Sequence, residues 1–335
     1  MLPVARSGRA VVTGGGGFIG SHMVDLLLDE GWRVTVIDNL TTGRRDNLRQ
    51  HTDNPRLDVV EMDVRELVPG STVLREVDYV FHFAGLGDIV PSIERPLAYM
   101  QTNVDGTLAL LEAARHADIR KLVYAASSSC YGADPPTPTD ESAPILPAYP
   151  YALSKYLGEC AVLHWGQVYR LPVNTVRIFN AYGRRVRTTG AYGAVFGVFL
   201  AQRLHNQPLT IVGDGTQGRD FVHVTDVARA FWAAAETDFT GQTYNVGGGQ
   251  PRSVNELASL IGGEVTHVPK RPGEPDRTWA NIRKAASELH WKPTVSFERG
   301  VADMIENIHE WAEAPVWNTQ SIDAATRTWF EYLAR

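Results

Sequence analysis

The residues of this 335-residue chain best suited to proton chemistry are Tyr151 and Lys155, in the run Tyr151-Ala152-Leu153-Ser154-Lys155. On a helix, positions four apart share a face, so the lysine ammonium lies beside the phenol. A positive charge there favours the phenolate and lowers the tyrosine pKa towards working pH, as a general base requires. The spacing alone is a common accident, and it gains weight from a serine-rich strand end, Ser127-Ser128-Ser129, and from a glycine cluster near the N-terminus. That cluster, Thr13-Gly14-Gly15-Gly16-Gly17-Phe18-Ile19-Gly20, follows an apolar run and opens a helical pattern. The spacing of Gly14, Gly17 and Gly20 suits a tight turn that brings backbone N–H groups and a helix N-terminus to a pyrophosphate. Asp38 closes Val34-Thr35-Val36-Ile37, eighteen residues after Gly20. A carboxylate there accepts hydrogen bonds from a ribose 2′-OH and repels a 2′-phosphate, which favours NAD over NADP. Arg44 and Arg45 follow closely and read as a solvated loop, while Asp63, ending the third run, is placed to bond the adenine.

The elements that must hold these groups alternate as βαβ units do. Strands are predicted at Ala10–Thr13, Val34–Asp38, Val59–Met62, Tyr79–Phe83, Leu122–Ala126 and Val173–Ile178, with helices such as Ile19–Glu30 and Thr102–His116 between them. Mostly apolar strands imply a parallel sheet covered on both faces. The fold class is therefore α/β: a Rossmann-type doubly wound parallel sheet with a smaller α/β substrate-binding C-terminal domain. Residues 1–180 are assigned to the NAD-binding domain, with 218–243 returning to it, and 181–335 to the second domain, where helices are predicted at Ala194–His205 and Val254–Ile261. The Pro-rich stretch Asp134–Pro150 is a long loop of the kind that usually carries function or motion.

Composition excludes several classes. A net charge of −6 argues against a general nucleic-acid binder. Two cysteines, Cys130 and Cys160, exclude a disulfide-dense secreted scaffold. No H-E-x-x-H or C-x-x-C spacing marks a metal site. No apolar run approaches the ~20 residues that span a bilayer. Arg6 and Arg9 precede an apolar stretch that four glycines stop at once, so a first strand rather than a signal peptide is expected, and a cytoplasmic protein. There is no G-x-S-x-G or P-loop lysine motif of a hydrolase or NTPase.

From about Arg9 to Ile308 the chain resembles the extended short-chain dehydrogenase/reductase family, in its nucleotide-sugar epimerase and dehydratase branch. The ordered motifs are Thr13–Gly20, His82-Phe83-Ala84-Gly85, Asn103, Ser127-Ser128-Ser129 before Tyr131-Gly132, and Tyr151–Lys155. Later come Arg177-Ile178-Phe179-Asn180, Gly213-Asp214-Gly215, Arg219-Asp220-Phe221-Val222 and Arg271-Pro272-Gly273-Glu274. The resemblance implies Tyr151 as base for a sugar hydroxyl, Lys155 also holding the nicotinamide ribose, and Ser127 hydrogen-bonding the reacting hydroxyl. It implies an NAD site that includes Gly14, Gly17, Phe18, Ile19, Gly20, Asp38, Asn39, Asp63, Val64, Phe83, Ala84, Gly85 and Asn103. Tyr149 is set aside because leucine, not lysine, stands four residues on, and Cys130 reads as a buried apolar cysteine.

Dehydratases of this branch carry an Asp-Glu pair where this chain has Ser128 and Ser129, so 4,6-dehydration is disfavoured. What remains is an NAD-dependent 4-epimerase of a UDP-hexose (UDP-glucose/UDP-galactose, with the N-acetylhexosamine pair open) acting through a transient 4-keto sugar. The alternatives are a dehydratase or UDP-glucuronate decarboxylase on the same scaffold, and a non-catalytic NAD-binding protein. Between Arg177 and Arg219 six arginines (177, 184, 185, 187, 203, 219) face one acid, Asp214, a local +5 suited to a diphosphate. For Arg185, Arg187 and Arg203, ordinary surface charge is the simpler reading. By resemblance Asn180, Arg219 and Arg271 contact the diphosphate, Glu274 the nucleotide ribose, Ser128, Ser129 and Val195 the substrate, and Thr278 leaves room at the sugar's C2. Asp88 stands near the expected sugar, where a carboxylate is unusual, and the run typical of uronate epimerases is missing after Tyr182. Relatives pair two helices per subunit into a homodimer; here these are Leu97–His116 and Tyr151–Tyr169, with Leu108, Leu111, Val162 and Trp165 as apolar contacts. The segment from Ala314 onwards, with Trp317 and Trp329, lies beyond the resemblance.

Overall fold

A computed structural model describes residues 8–186 and 195–334; Arg6, Arg187 and Ala194 lie outside them. The first half runs β1 (Arg9–Thr13), α1 (Phe18–Asp29), β2 (Arg33–Asp38), β3 (Leu57–Glu61), β4 (Tyr79–His82), α2 (Ile89–Glu94), α3 (Pro96–Met100), α4 (Gly106–Ala114), β5 (Lys121–Ser127), α5 (Pro150–Tyr169) and β6 (Val173–Ile178). It continues with β7 (Asn180–Tyr182), α6 (Val195–Leu204), β8 (Leu209–Val212), β9 (Gly218–Arg219), β10 (Phe221–His223), α7 (Val224–Glu236) and β11 (Gln242–Val246). The rest is β12 (Arg252–Ser253), α8 (Val254–Ile261), β13 (Val265–Val268), α9 (Arg283–Glu288), α10 (Phe297–Glu306) and α11 (Thr319–Leu333).

Seven strands form one parallel sheet in the order β11-β6-β5-β4-β1-β2-β3. Side chains alternate across it as strand geometry demands. Ala10, Val12, Tyr79 and Phe81 enter the core under α1 and α7, while Val11, Val80, Leu122 and Tyr124 enter the core under α4 and α5. Residues 218–246 are divided between the two halves. β10 pairs with β7 outside the main sheet, whereas α7 packs on α1 and β11 joins the sheet edge at β6. The remaining short strands pair as β8–β13 and β9–β12, and β8 shares a core with α6, α8, α10 and the start of α11.

Two local departures from the sequence reading bear on the site. The helix expected at Thr102–His116 starts earlier, at Pro96, and carries a π turn at Gln101–Asp105 before α4. Such wide turns displace a side chain from the helical row; here Asn103 lies within it. The loop expected at Asp134–Pro150 is clamped along its length. Thr139 N donates to Trp279 O (2.7 Å), Asn281 N to Thr139 O (2.7 Å) and Leu146 N to Cys130 O (2.8 Å). Cys130 is buried against Tyr131 and Phe179, and burial pushes its thiol up to about 12, so it is not a thiolate nucleophile.

Candidate active site

Strand order reverses on either side of β1, and in open α/β sheets the crevice for ligands opens at that point, beyond the carboxyl ends of the strands. The expected residues cluster there because each follows a strand: Gly14 after β1, Asp38 closing β2, Asp63 after β3, Phe83 after β4, Ser127 closing β5 and Asn180 after β6. Together they line a cleft of about 1070 Å³, with Gly17, Phe18, Ile19, Gly20, Asn39, Val64, Ala84, Gly85, Ser128, Ser129, Tyr151 and Lys155.

The glycine turn is closed to side chains and open to a ligand's backbone-bonded phosphates. Gly14 has φ +70°, and a Cβ there would lie 2.6 Å from Ala84 N; one on Gly20 would lie 2.2 Å from Gly14 O. The Asp38 carboxylate accepts from Gly16 N (2.9 Å) and Leu40 N (2.8 Å), which ties the turn to the end of β2. Asp63 accepts from Asn39 Nδ2 (2.8 Å) and from Arg65 Nε and Nη2 (2.9 and 2.7 Å), and the Arg65 guanidinium holds its carboxyl well below the usual range. Arg44 and Arg45 do not line the cleft; Arg45 pairs with Glu61 at the surface. Buried His82 bridges Thr13 Oγ1 (2.6 Å) and Thr107 Oγ1 (2.9 Å), and burial pushes it down to about 3, so it stays neutral beneath the turn. This cradle fits a dinucleotide with free ribose hydroxyls.

Asn103 corrects the sequence reading. It is buried and does not face the cleft; its amide accepts from Leu86 N (2.7 Å) and donates to Leu86 O (3.0 Å) and Ser154 Oγ (2.9 Å). The π turn points it at the loop after β4, so it fixes that loop against α5.

Tyr151 Oη donates to Ser127 Oγ at 3.4 Å, across the gap between β5 and α5. The expectation that Lys155 lowers the tyrosine pKa is not met. Burial pushes the phenol up, the Ser127 bond offsets part of that, and the Asp88 carboxylate adds to it. The lysine ammonium stands over the ring of Tyr124, 4.3 Å from its centroid, rather than on the phenol, and burial pulls it down to about 7. Glu159, one further turn along α5, opposes that fall. Glu159 is itself locked to Arg177, whose Nε donates to Oε2 (3.0 Å) and whose Nη1 donates to Tyr131 Oη (2.8 Å).

The arginine-rich stretch is not the diphosphate surface its charge suggested. Arg177 is buried under the sheet with Glu159, Arg184 pairs with Glu310, Arg185 with Asp25 (2.8 Å), and Arg203 is exposed on α6. Arg187 lies outside the described residues. Val195 also differs: it packs on the second core, and Gly197 and Val198 line the cleft instead. The remaining expected substrate residues form a neighbouring cluster. Arg219 Nη2 meets Glu274 Oε1 at 2.8 Å, and Arg271 Nη1 stands 3.8 Å from Glu274 Oε2. Thr278 Oγ1 donates to Asn180 Oδ1 (2.8 Å) and accepts from Asp220 N (3.0 Å), joining the cluster to the cleft.

Tyr149, set aside in the sequence, lies beside the site. Its ring stacks parallel to that of Tyr151 with 6.4 Å between centroids, and burial pushes its phenol up, with the nearby Ser129 hydroxyl opposing that rise. No lysine spacing marks it; only the clamped loop brings it there. Glu159 was missed in the sequence; the signal for it is the four-residue step from Tyr151 through Lys155 to Glu159.

A glycine-closed dinucleotide cradle with a Ser–Tyr–Lys group at its mouth defines a short-chain dehydrogenase/reductase-type enzyme. A sequence profile of the NAD dependent epimerase/dehydratase family matches residues 10–247. The chain is 35% identical over 306 residues to a UDP-glucose 4-epimerase of Mycolicibacterium smegmatis, covering 89% of this chain and 97% of that one. It is 33% identical over 310 residues to UDP-glucuronic acid decarboxylase 1 of Arabidopsis thaliana, covering 89% and 69%. Among solved structures it is similar to the UDP-N-acetylglucosamine 4-epimerase of Methanobrevibacter ruminantium, with TM-score 0.85, 33% identity, and coverage of 91% and 98%. The chain belongs to the NAD-dependent epimerase/dehydratase family and is an NAD-dependent isomerase of the epimerase type. No described helix is long and apolar enough to cross a membrane.

Proposed function

We propose that this protein is a 4-epimerase of a UDP-hexose, interconverting the gluco and galacto configurations at C4. The observation that carries the proposal is the Tyr151 Oη–Ser127 Oγ contact at the carboxyl end of β5, beside the glycine cradle. Tyr151 takes the proton of the sugar's 4-hydroxyl while Ser127 holds that oxygen; the same tyrosine returns the proton once the sugar has presented its other face. Lys155, one helical turn on and lining the same cleft, is the cation available to assist that transfer, although it stands over the Tyr124 ring rather than on the phenol. Gly14, Gly17, Asp38 and Lys155 would hold NAD, which when bound acts as a reversible two-electron acceptor for C4. Ser128 and Ser129 line the cleft without a carboxylate to drive loss of water. Asp88 also lines it, close enough for its charge to act on the Tyr151 phenol. A carboxylate there opposes the C6 carboxylate of a uronate, which favours a neutral hexose over the substrate named for the decarboxylase relative.

The test is proton NMR of the purified protein with UDP-glucose, UDP-galactose, their N-acetyl forms and UDP-glucuronate. A C4 epimer formed from a neutral UDP-hexose supports the reading; released CO₂ or an accumulating 4-keto-6-deoxy sugar refutes it. We also propose a homodimer through α3 and α5, with a correction to the contact residues. Leu111 and Val162 are fully buried in the chain's own core, whereas Leu97 (74% exposed), Leu153 and Leu157 are exposed. Sedimentation velocity of Leu97→Glu/Leu157→Glu against the parent tests it.

A further inference from the structure

The C-terminal helix crosses from one half of the molecule to the other. At its start Gln202 Nε2 donates to Trp317 O (2.7 Å), and a capping box of Asn318 and Ser321 fixes the first turn. Near its end Thr328 Oγ1 donates to Glu94 Oε1 of α2 (3.3 Å). The next residue, Trp329, is buried and donates from Nε1 to Pro272 O (2.6 Å), inside the loop that carries Arg271 and Glu274. Arg271 Cζ lies 5.5 Å from the centroid of the Trp329 ring, and the ring of Tyr149 lies 6.4 Å away from the same tryptophan. Arg271 thus has an aromatic neighbour on α11, and its 3.8 Å approach to Glu274 is looser than the 2.8 Å Arg219–Glu274 contact. None of this helix lies within the residues that the family profile matches.

We propose that Trp329 is a positioning residue for the nucleotide diphosphate. The indole fixes the Pro272 carbonyl, and so the loop, while its ring holds the Arg271 guanidinium in place for a phosphate instead of letting it collapse onto Glu274. A guanidinium fixed before the ligand arrives loses less rotamer freedom on binding. A cation–π contact of this kind corresponds to about three- to thirtyfold in affinity. The helix is therefore part of the substrate site. The inference rests on the reading of Arg219 and Arg271 as diphosphate contacts.

The experiment is calorimetric titration of the full-length holoenzyme with UDP, together with kcat and KM on UDP-galactose and NAD content by absorbance. Variants are Trp329→Leu, Trp329→Phe, Arg271→Ala, Arg219→Ala and each tryptophan change combined with Arg271→Ala. Trp329→Leu is expected to weaken UDP and raise KM three- to thirtyfold, with kcat changed less than threefold and NAD retained. Trp329→Phe, which keeps a ring face, is expected to lose two- to fivefold, and it serves alone should the leucine variant not fold. Neither change weakens UDP further when Arg271 is already alanine. Unchanged UDP affinity, a fall in kcat and NAD content at constant KM, or the same loss with and without Arg271 overturns the role of Trp329. If Arg271→Ala and Arg219→Ala both bind UDP as the parent does, the diphosphate reading itself fails.

Discussion

Replacing Glu159 with glutamine leaves the Arg177 guanidinium buried without its counter-charge. The parent pair is two-pronged, with Arg177 Nε–Glu159 Oε2 at 3.0 Å and Nη2–Oε1 at 2.5 Å, and the side chains are 7% and 2% exposed. Breaking a buried pair by removing one partner costs about 3–5 kcal/mol, a large share of a total near 5–15 kcal/mol. Glutamine keeps the shape and can accept one bond, so about 3 kcal/mol is expected for it. Urea unfolding at fixed NAD concentration measures the cost, provided the slope m is unchanged. Replacing both residues with methionine should recover most of the loss, because no lone charge remains. The variant carries a second readout. Glu159 opposes the burial that pulls Lys155 down to about 7, so without it Lys155 loses its proton at lower pH and the alkaline limb of kcat/KM moves down. A loss below about 1 kcal/mol, or a double variant as unstable as the single one, would refute the electrostatic reasoning.

Tyr151→Phe should lower turnover by about 10²–10⁴-fold, the usual worth of a positioned general base, while bound NAD, measured by absorbance, persists. Gly14→Ala should abolish NAD retention, because its Cβ would lie 2.6 Å from Ala84 N at a φ of +70°; stoichiometric NAD in the purified variant contradicts this. The NAD-free protein offers a pH test. Lys155 titrates near 7 when folded and near 10.4 when unfolded, so the unfolded state binds more protons between those values. Its contribution to stability therefore rises with pH across that window, by at most about 1.4 kcal/mol per pH unit. Lys155→Met should remove that slope relative to the parent, as followed by the urea midpoint at pH 7, 8 and 9; parallel profiles would show that the lysine is not buried as described.

Strand ends and short-range spacing were legible in the sequence. β6 (Val173–Ile178) and α8 (Val254–Ile261) fall at their predicted bounds, because period and apolar content are local properties of the chain. The convergence of the expected site residues was legible for the same reason: parallel βαβ topology sends the residue at or after each strand end to one edge of the sheet, so Gly14, Asp38, Phe83 and Ser127 meet there. Charge was read less well. The stretch from Arg177 to Arg219 is basic in sequence, yet Asp25, Glu159 and Glu310 neutralise three of its arginines from distant segments. A linear count over that stretch cannot register partners outside it, and two of the three, Asp25 and Glu310, lie more than a hundred residues from their arginines.

What only the tertiary structure decided lies in the same category. Lys155 stands over Tyr124 instead of on the Tyr151 phenol, because burial between α5 and the sheet leaves the ammonium an aromatic face. Asn103 turns from the cleft because a π turn adds a residue to its helix. Tyr149 stacks beside Tyr151 because the loop before it is pinned at Thr139, and Trp329 meets Arg271 because α11 packs back against α2. The sequence by itself determined which chemistry the chain carries, since that chemistry rests on residue types at fixed short spacings. The fold decided which charges are free to use, since pairing energies depend on distance in space.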